Sequence, residues 1–182
     1  MKQYIHLMTD YNQWMNEKLI IACDDIEPKE LERDRQAFFH SILGTWNHIL
    51  VADIIWLRRI AGQYPHTLKL SSLDSLPTPT SLDQILFQDW NTFKIKRREL
   101  DELIMNMSES LTEKDLTTEM KYQSMSGQSH QQDLWLVLSH FFNHQTHHRG
   151  QLTHLIHQLG INPGATDLIA MKREQDLALK IG

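Results

Sequence analysis

The stretch "FFNHQTHHRGQL", Phe141 to Leu152, places His144, His147 and His148 within a run that reads as helix. No proline falls between Pro79 and Pro163, and Gly160 offers a stop, so this helix is expected over about Gln131 to Leu159. Taking His144 as zero and advancing about 100 degrees per residue puts Val137, Phe141, His148, Gln151, Leu152 and Leu155 within about 80 degrees of it. His144 and His148 therefore sit in the middle of an apolar stripe. Burying an imidazole among Val, Phe and Leu costs roughly 1 to 3 kcal/mol for each polar group left without a partner. A shared metal ion satisfies both rings, because histidines at i and i+4 face the same way one turn apart. The ordinary alternative is a surface or hydrogen-bonded core histidine, which a chain with eleven histidines produces easily. The placement in mid-stripe brings the metal level with that alternative, and spacing alone leaves both open.

Outward from this helix, five prolines and seven glycines leave long uninterrupted segments. A first helix is expected over about Lys2 to Asp24, with Tyr4, Leu7, Met8, Tyr11, Trp14 and Met15 at amphipathic spacing. A second is expected over about Arg35 to Ala61, ending at Gly62. It is apolar on more than one side, which suggests that a partner subunit covers one face. A third, opening with Ser81 and Gln84 in capping-box spacing, is expected to run to about Met107, with "KIKRRELDE" as its solvated, charged part. The connections 63–80 and 108–131 are long, and the "TTEMKYQSMSGQS" region around Gly127 reads either as a hairpin or as an irregular lid. The tail "TDLIAMKREQDLALKIG" suggests a short helix packing through Leu168 and Ile169. The expected architecture is a single all-α domain over residues 1–182, a four-helix bundle with long interhelical connections.

A catalytic metal site needs three protein ligands and an open position. His48 is the candidate third ligand, since Ser41, Gly44, Thr45, Val51, Ala52 and Ile55 on its side of the helix are mostly small and leave room for water or substrate. His40, about 80 degrees around the same helix, is the runner-up. His140 and His147 are candidates for the pocket wall or for contacts behind the ligands, and Gln151 is placed to orient a substrate or hold an outer ring nitrogen. Tyr11 and Asn12 are within reach from the first helix. Arg149, about 140 degrees from His144, reads as a structural or interface ion-pairing residue. Cys23 reads as packing rather than as a nucleophile. No H-E-x-x-H, E-x-x-H, G-x-S-x-G or phosphate-binding glycine loop occurs.

A formal charge of -5 gives no basic footprint for nucleic acid. The single cysteine excludes an internal disulfide, the start "MKQYIHLMTDYNQW" has no signal-peptide character, and no apolar run is long enough to span a bilayer. These features lead to the expectation of a cytoplasmic protein acting on a small molecule, without nucleic-acid or membrane partners.

Three stretches, "YNQWMNEKL" (11–19), "FFHSILGTWNHILVADIIWLRRIAG" (38–62) and "HFFNHQTHHRGQLTHLIHQLG" (140–160), together with "TDLI" (166–169), resemble the DinB family of metal-binding four-helix bundles. The resemblance implies a divalent ion, nickel or zinc, held by His48, His144 and His148. It also implies a homodimer and an association with DNA-damage-inducible expression. Family members include thiol-dependent S-transferases, a mycothiol-dependent isomerase and proteins described as metal-dependent hydrolases. The isomerase branch carries a glutamate at the middle ligand, where this chain has His144, which argues against that chemistry. The expected activity is thus thiol S-transfer or hydrolysis at a metal-bound water or thiol, with a low-molecular-weight thiol as a possible cofactor. A non-enzymatic, stress-responsive metal or small-molecule binder is the alternative.

Overall fold

The computed structural model describes residues 1–181. Four long helices, α1 (Lys2–Cys23), α3 (Ile42–Gln63), α4 (Trp90–Ser110) and α6 (Leu134–His157), form the bundle. The contacts run from α1 to α4 and α6, and from α3 to the same two. Short helices α2 (Pro28–Glu32) and α5 (Glu113–Leu116), an antiparallel hairpin β1 (Glu119–Gln123) and β2 (Ser129–Asp133), and a C-terminal helix α7 (Leu168–Ile181) decorate it. The core is the shared apolar faces of these helices, with Trp46, Phe93, Phe141 and Phe142 almost completely buried. No helix among the described residues is long and apolar enough to cross a membrane.

The expected start of the second helix is corrected by the turn that precedes it. Arg35 to Ser41 are not helical; Gln36 and His40 adopt left-handed φ values of 57° and 63°, conformations uncommon outside glycine. Ser41 caps α3 instead, its Oγ accepting from the Gly44 amide at 2.9 Å. A Cβ at position 44 would lie 2.1 Å from the Phe39 carbonyl oxygen, so only glycine lets the turn close this tightly.

The third helix also starts later than its capping-box spacing suggests. Gln84 Oε1 accepts from the Thr80 amide and hydroxyl, outside any helix, and the cap of α4 is Asp89, whose carboxylate accepts from Thr92 N at 2.8 Å. The segment 81–89 is held against α3 by Asn47. Its Oδ1 accepts from the amides of Leu86 and Phe87, and its Nδ2 donates to the Phe87 carbonyl. Those backbone groups are spent on a side chain and cannot enter a helical ladder.

The region around Gly127 is a hairpin, with Tyr122 opposite His130 and Gly127 at φ 82°. Gln63, at the end of α3, bonds both the amide and the carbonyl of Lys121 and so pins the hairpin to the bundle. In the tail, Met171 rather than Ile169 is the buried anchor, Ile169 being 55% exposed. The second apolar face of α3 is covered within the chain by α4, the Leu70–Leu73 turn and β1, so its apolarity no longer points to a partner subunit.

The largest departure from the sequence reading lies in "KIKRRELDE". Arg97 is fully buried and Asp101 nearly so, while Lys94, Lys96 and Arg98 make ion pairs at the surface. Arg97 donates to Asp53 of α3 at 2.5 Å and to Asp101 at 2.8 Å. Asp101 also accepts from Asn12 and Asn16 of α1, and Gln145 of α6 donates to Asp53 at 2.7 Å. Arg149 of α6 is likewise buried, donating to Asn12, Asn16 and Thr146. Its hydrogen bonds go to neutral groups inside the chain, and among the described residues it pairs with no carboxylate. Two arginines and two carboxylates thus form a charge-balanced layer through which all four bundle helices are joined. Burial raises Asp101 to about 6 against the pull of Arg97, and burial lowers Arg149 to about 10.

Candidate metal centre

His48 on α3 and His144 and His148 on α6 meet where the two helices pack. Their Nε2 atoms converge: that of His48 lies 3.1 Å from that of His144 and 3.2 Å from that of His148. His48 and His148 are buried and His144 is half-buried. Among the described residues these three form the one cluster of His, Cys, Asp or Glu side chains close enough to hold a metal ion, and no fourth such residue joins them.

Partners on the far side of the rings set their tautomers. The Nδ1 of His48 is 2.7 Å from the Leu82 carbonyl, and the Nδ1 of His148 is 2.8 Å from Gln151 Oε1. Each Nδ1 therefore carries the proton, and each Nε2 presents a lone pair to the other across 3.2 Å. Two facing lone pairs repel unless a cation lies between them, so the donor set fits a divalent ion. Burial keeps the rings neutral: it lowers His144 to about 3, with the neighbouring imidazoles adding to the effect, lowers His148 to about 4 against the Gln151 bond, and lowers His48. Neutral imidazole is the form that binds a metal.

Other candidate residues surround the cluster without joining it. His40 is exposed, 3.8 Å from Asp34, because the left-handed turn ends there before α3 begins. His147 is exposed, packs edge-on against His148 and lies 3.3 Å from Gln151 Nε2, so it touches the ligand His148 both directly and through that amide without joining the cluster. His140 lies one turn before His144, its ring 6.0 Å away, on the wall of the cavity described below. Tyr11 donates to the Thr166 carbonyl and Asn12 belongs to the buried polar layer, so neither reaches the centre from α1. Cys23 is buried and its thiol is pushed up to about 12, which leaves it as packing.

Two contributors escaped the sequence reading. Phe39 lies flat on the His48 ring, centroids 3.7 Å apart, and presents its edge to His148. It stood within "FFHS", but only the turn shows that it folds back. The Leu82 carbonyl has no side-chain signature at all. Above the centre opens a cavity of about 560 Å³ bordered by His48 and His144, with Trp56 and Arg59 of α3, Tyr122 of the hairpin and His140 on its walls. That volume suits a small molecule.

A helical bundle in which three histidines from two helices converge beneath an open cavity defines a class of candidate metal-site proteins. The chain belongs to the DinB family, whose model matches residues 1–178. It is 25% identical over 175 residues to "Protein DinB" of Bacillus subtilis strain 168, spanning 92% of each chain. It is also 24% identical over 160 residues to "Uncharacterized protein YizA" of the same organism, covering 88% of this chain and 91% of the relative. The crystal structure of a DinB-like protein from Bacillus cereus ATCC 10987 shares the fold, with a TM-score of 0.55 at 22% identity, covering 84% of this chain and 90% of that one.

Proposed function

We propose that His48, His144 and His148 hold one divalent ion, nickel or zinc, and that the chain is an enzyme carrying out thiol S-transfer or hydrolysis on a small molecule. The observation that carries this reading is the convergence of three Nε2 atoms, with His48 and His144 bordering an open cavity, and without a fourth His, Cys, Asp or Glu among the described residues. A closed structural site takes four protein ligands, whereas a catalytic one takes three and leaves a position free. Imidazole suits both metals.

When bound, the ion supplies positive charge that favours the deprotonated form of a water or thiol entering the cavity. The protein does the rest. The Leu82 carbonyl and Gln151 fix the rings of His48 and His148, and Phe39 shields the centre from one side. His140 borders the cavity one turn before His144, where a ring nitrogen can take the nucleophile's proton. In S-transfer, the sulfur of a low-molecular-weight thiol bonds to a substrate carbon while the leaving group departs with the bonding pair and receives that proton. In hydrolysis, water takes the place of the thiol. The homodimer belongs to the same proposal and is supported by the family resemblance.

The test supplies nickel- or zinc-loaded protein with cysteine and coenzyme A as thiols and chlorodinitrobenzene as electrophile, beside a panel of aryl esters. Turnover that disappears on chelation and in His144→Ala is expected. Fully loaded protein with no turnover of either kind, and a coordination sphere closed to exchangeable ligands, favours a binding protein instead.

A further inference from the structure

The cavity above the histidines has a second pole. Arg59 lies on the same face of α3 as His48, eleven residues or about three turns further on, roughly 16 Å along the axis. Its guanidinium leans back over the Trp56 ring at 4.6 Å and beside Tyr122 at 5.2 Å. These two rings meet edge to face, centroids 5.0 Å apart, because the Gln63 bonds to Lys121 hold the hairpin against α3. The two rings hold the cation between them, and among the described residues no protein group bonds or pairs with Arg59. No lining residue of the cavity is acidic. Although acidic residues outnumber basic ones 23 to 18 in this chain, none of them pairs with this half-buried arginine among the described residues. The rest of the wall is mainly apolar, from Ala52, Ile55, Trp56, Leu82 and Met125, with Ser124, Ser126 and His130 on the hairpin side.

We propose that this cavity takes a small amphipathic carboxylic acid, its carboxylate held by the fork of Arg59, its apolar body along Ile55, Trp56 and Met125, and its reactive end at His48 and His144. Only the reactive end rests on the metal reading above. Guanidinium matches carboxylate in a bidentate geometry, and stacking on two aromatic rings pre-orders it, so little freedom is lost on binding. The hairpin thereby becomes the specificity element, because it supplies Tyr122 and Met125.

The experiment is calorimetric titration of the full chain with octanoate and with octanol, in metal-free and zinc-loaded forms, for the parent, Arg59→Gln and Arg59→Lys. Circular dichroism reports the fold of each protein. The metal-free parent is expected to prefer the acid by about tenfold, the worth of a charge-assisted contact. Arg59→Gln should lose this preference, and Arg59→Lys should keep part of it. Equal affinity for acid and alcohol, a preference that persists in Arg59→Gln, or no heat from either ligand overturns the proposal. Metal content is read on the same samples, so the two readings fail separately. A chain that takes up no metal but shows the Arg59-dependent preference keeps the carboxylate site and loses the metal centre, and a chain with metal but no preference does the reverse.

Discussion

The Nδ1 partner of each imidazole decides which nitrogen faces the centre. Gln151 does this for His148, and Gln151→Leu removes the acceptor without emptying the space. Metal affinity is expected to fall about 10- to 100-fold, measured by competition with a chromophoric chelator, because contacts of this kind hold both tautomer and ring. Unchanged affinity would show that the helix alone orients His148. The neutral rings also give the metal-free protein a defined pH response. Their folded values, about 3 for His144 and about 4 for His148, lie below the unfolded value near 6.5, so the unfolded chain binds more protons in between. This contribution to stability is fully present above about pH 6.5 and is lost as pH falls through about 4 toward about 3. Urea denaturation of metal-free protein across that window is expected to show a falling midpoint, with a shallower fall in His144→Leu. His144 and His148 were legible in the sequence because helical period alone places them in one stripe. The Leu82 carbonyl was not, since a backbone group drawn in from a loop leaves no trace in residue type.

Two of the long elements begin later than the sequence pattern suggests, α3 because a local left-handed turn at Gln36 and His40 ends in the Ser41 cap, and α4 because of a tertiary hydrogen-bond set that the sequence does not advertise. The segment before α4 is apolar enough to read as helix, yet Asn47 satisfies the amides of Leu86 and Phe87 and the carbonyl of Phe87. Asn47→Leu leaves those three groups without a partner and is expected to cost about 2 to 4 kcal/mol in denaturant unfolding. Because Leu82 lies on the same tethered segment, the variant should also bind metal more weakly. Loss of stability with intact metal affinity would separate the tether from the centre. The hairpin, ambiguous in sequence, is settled by its fastening to Gln63 at the end of α3. Its strands alone carry too few apolar residues for the period of two to stand out.

At the scale of the whole molecule, the bundle is held by its apolar core and also by the layer of Asp53, Arg97, Asp101 and Arg149, with Asn12, Asn16 and Gln145 completing their hydrogen bonds. The four-helix architecture was readable from long amphipathic segments and proline placement. The layer was hidden inside a charge run that resembles surface, although Arg97 and Asp101 share a helical face with Phe93, Leu100 and Ile104. Arg97→Met removes a cation from between two buried carboxylates and is expected to destabilise the fold by about 3 to 5 kcal/mol, read from urea denaturation. A change below about 1 kcal/mol would mean that the layer relaxes or hydrates freely. The central claim, that one ion joins α3 to α6 through three histidines, is tested most directly by the metal content of protein purified without an affinity tag, beside His48→Ala and His144→Ala variants shown to be folded by circular dichroism. The account predicts about one divalent ion per chain in the parent and its loss in both variants. Metal retained in the variants, or a parent that takes up neither nickel nor zinc, would contradict it.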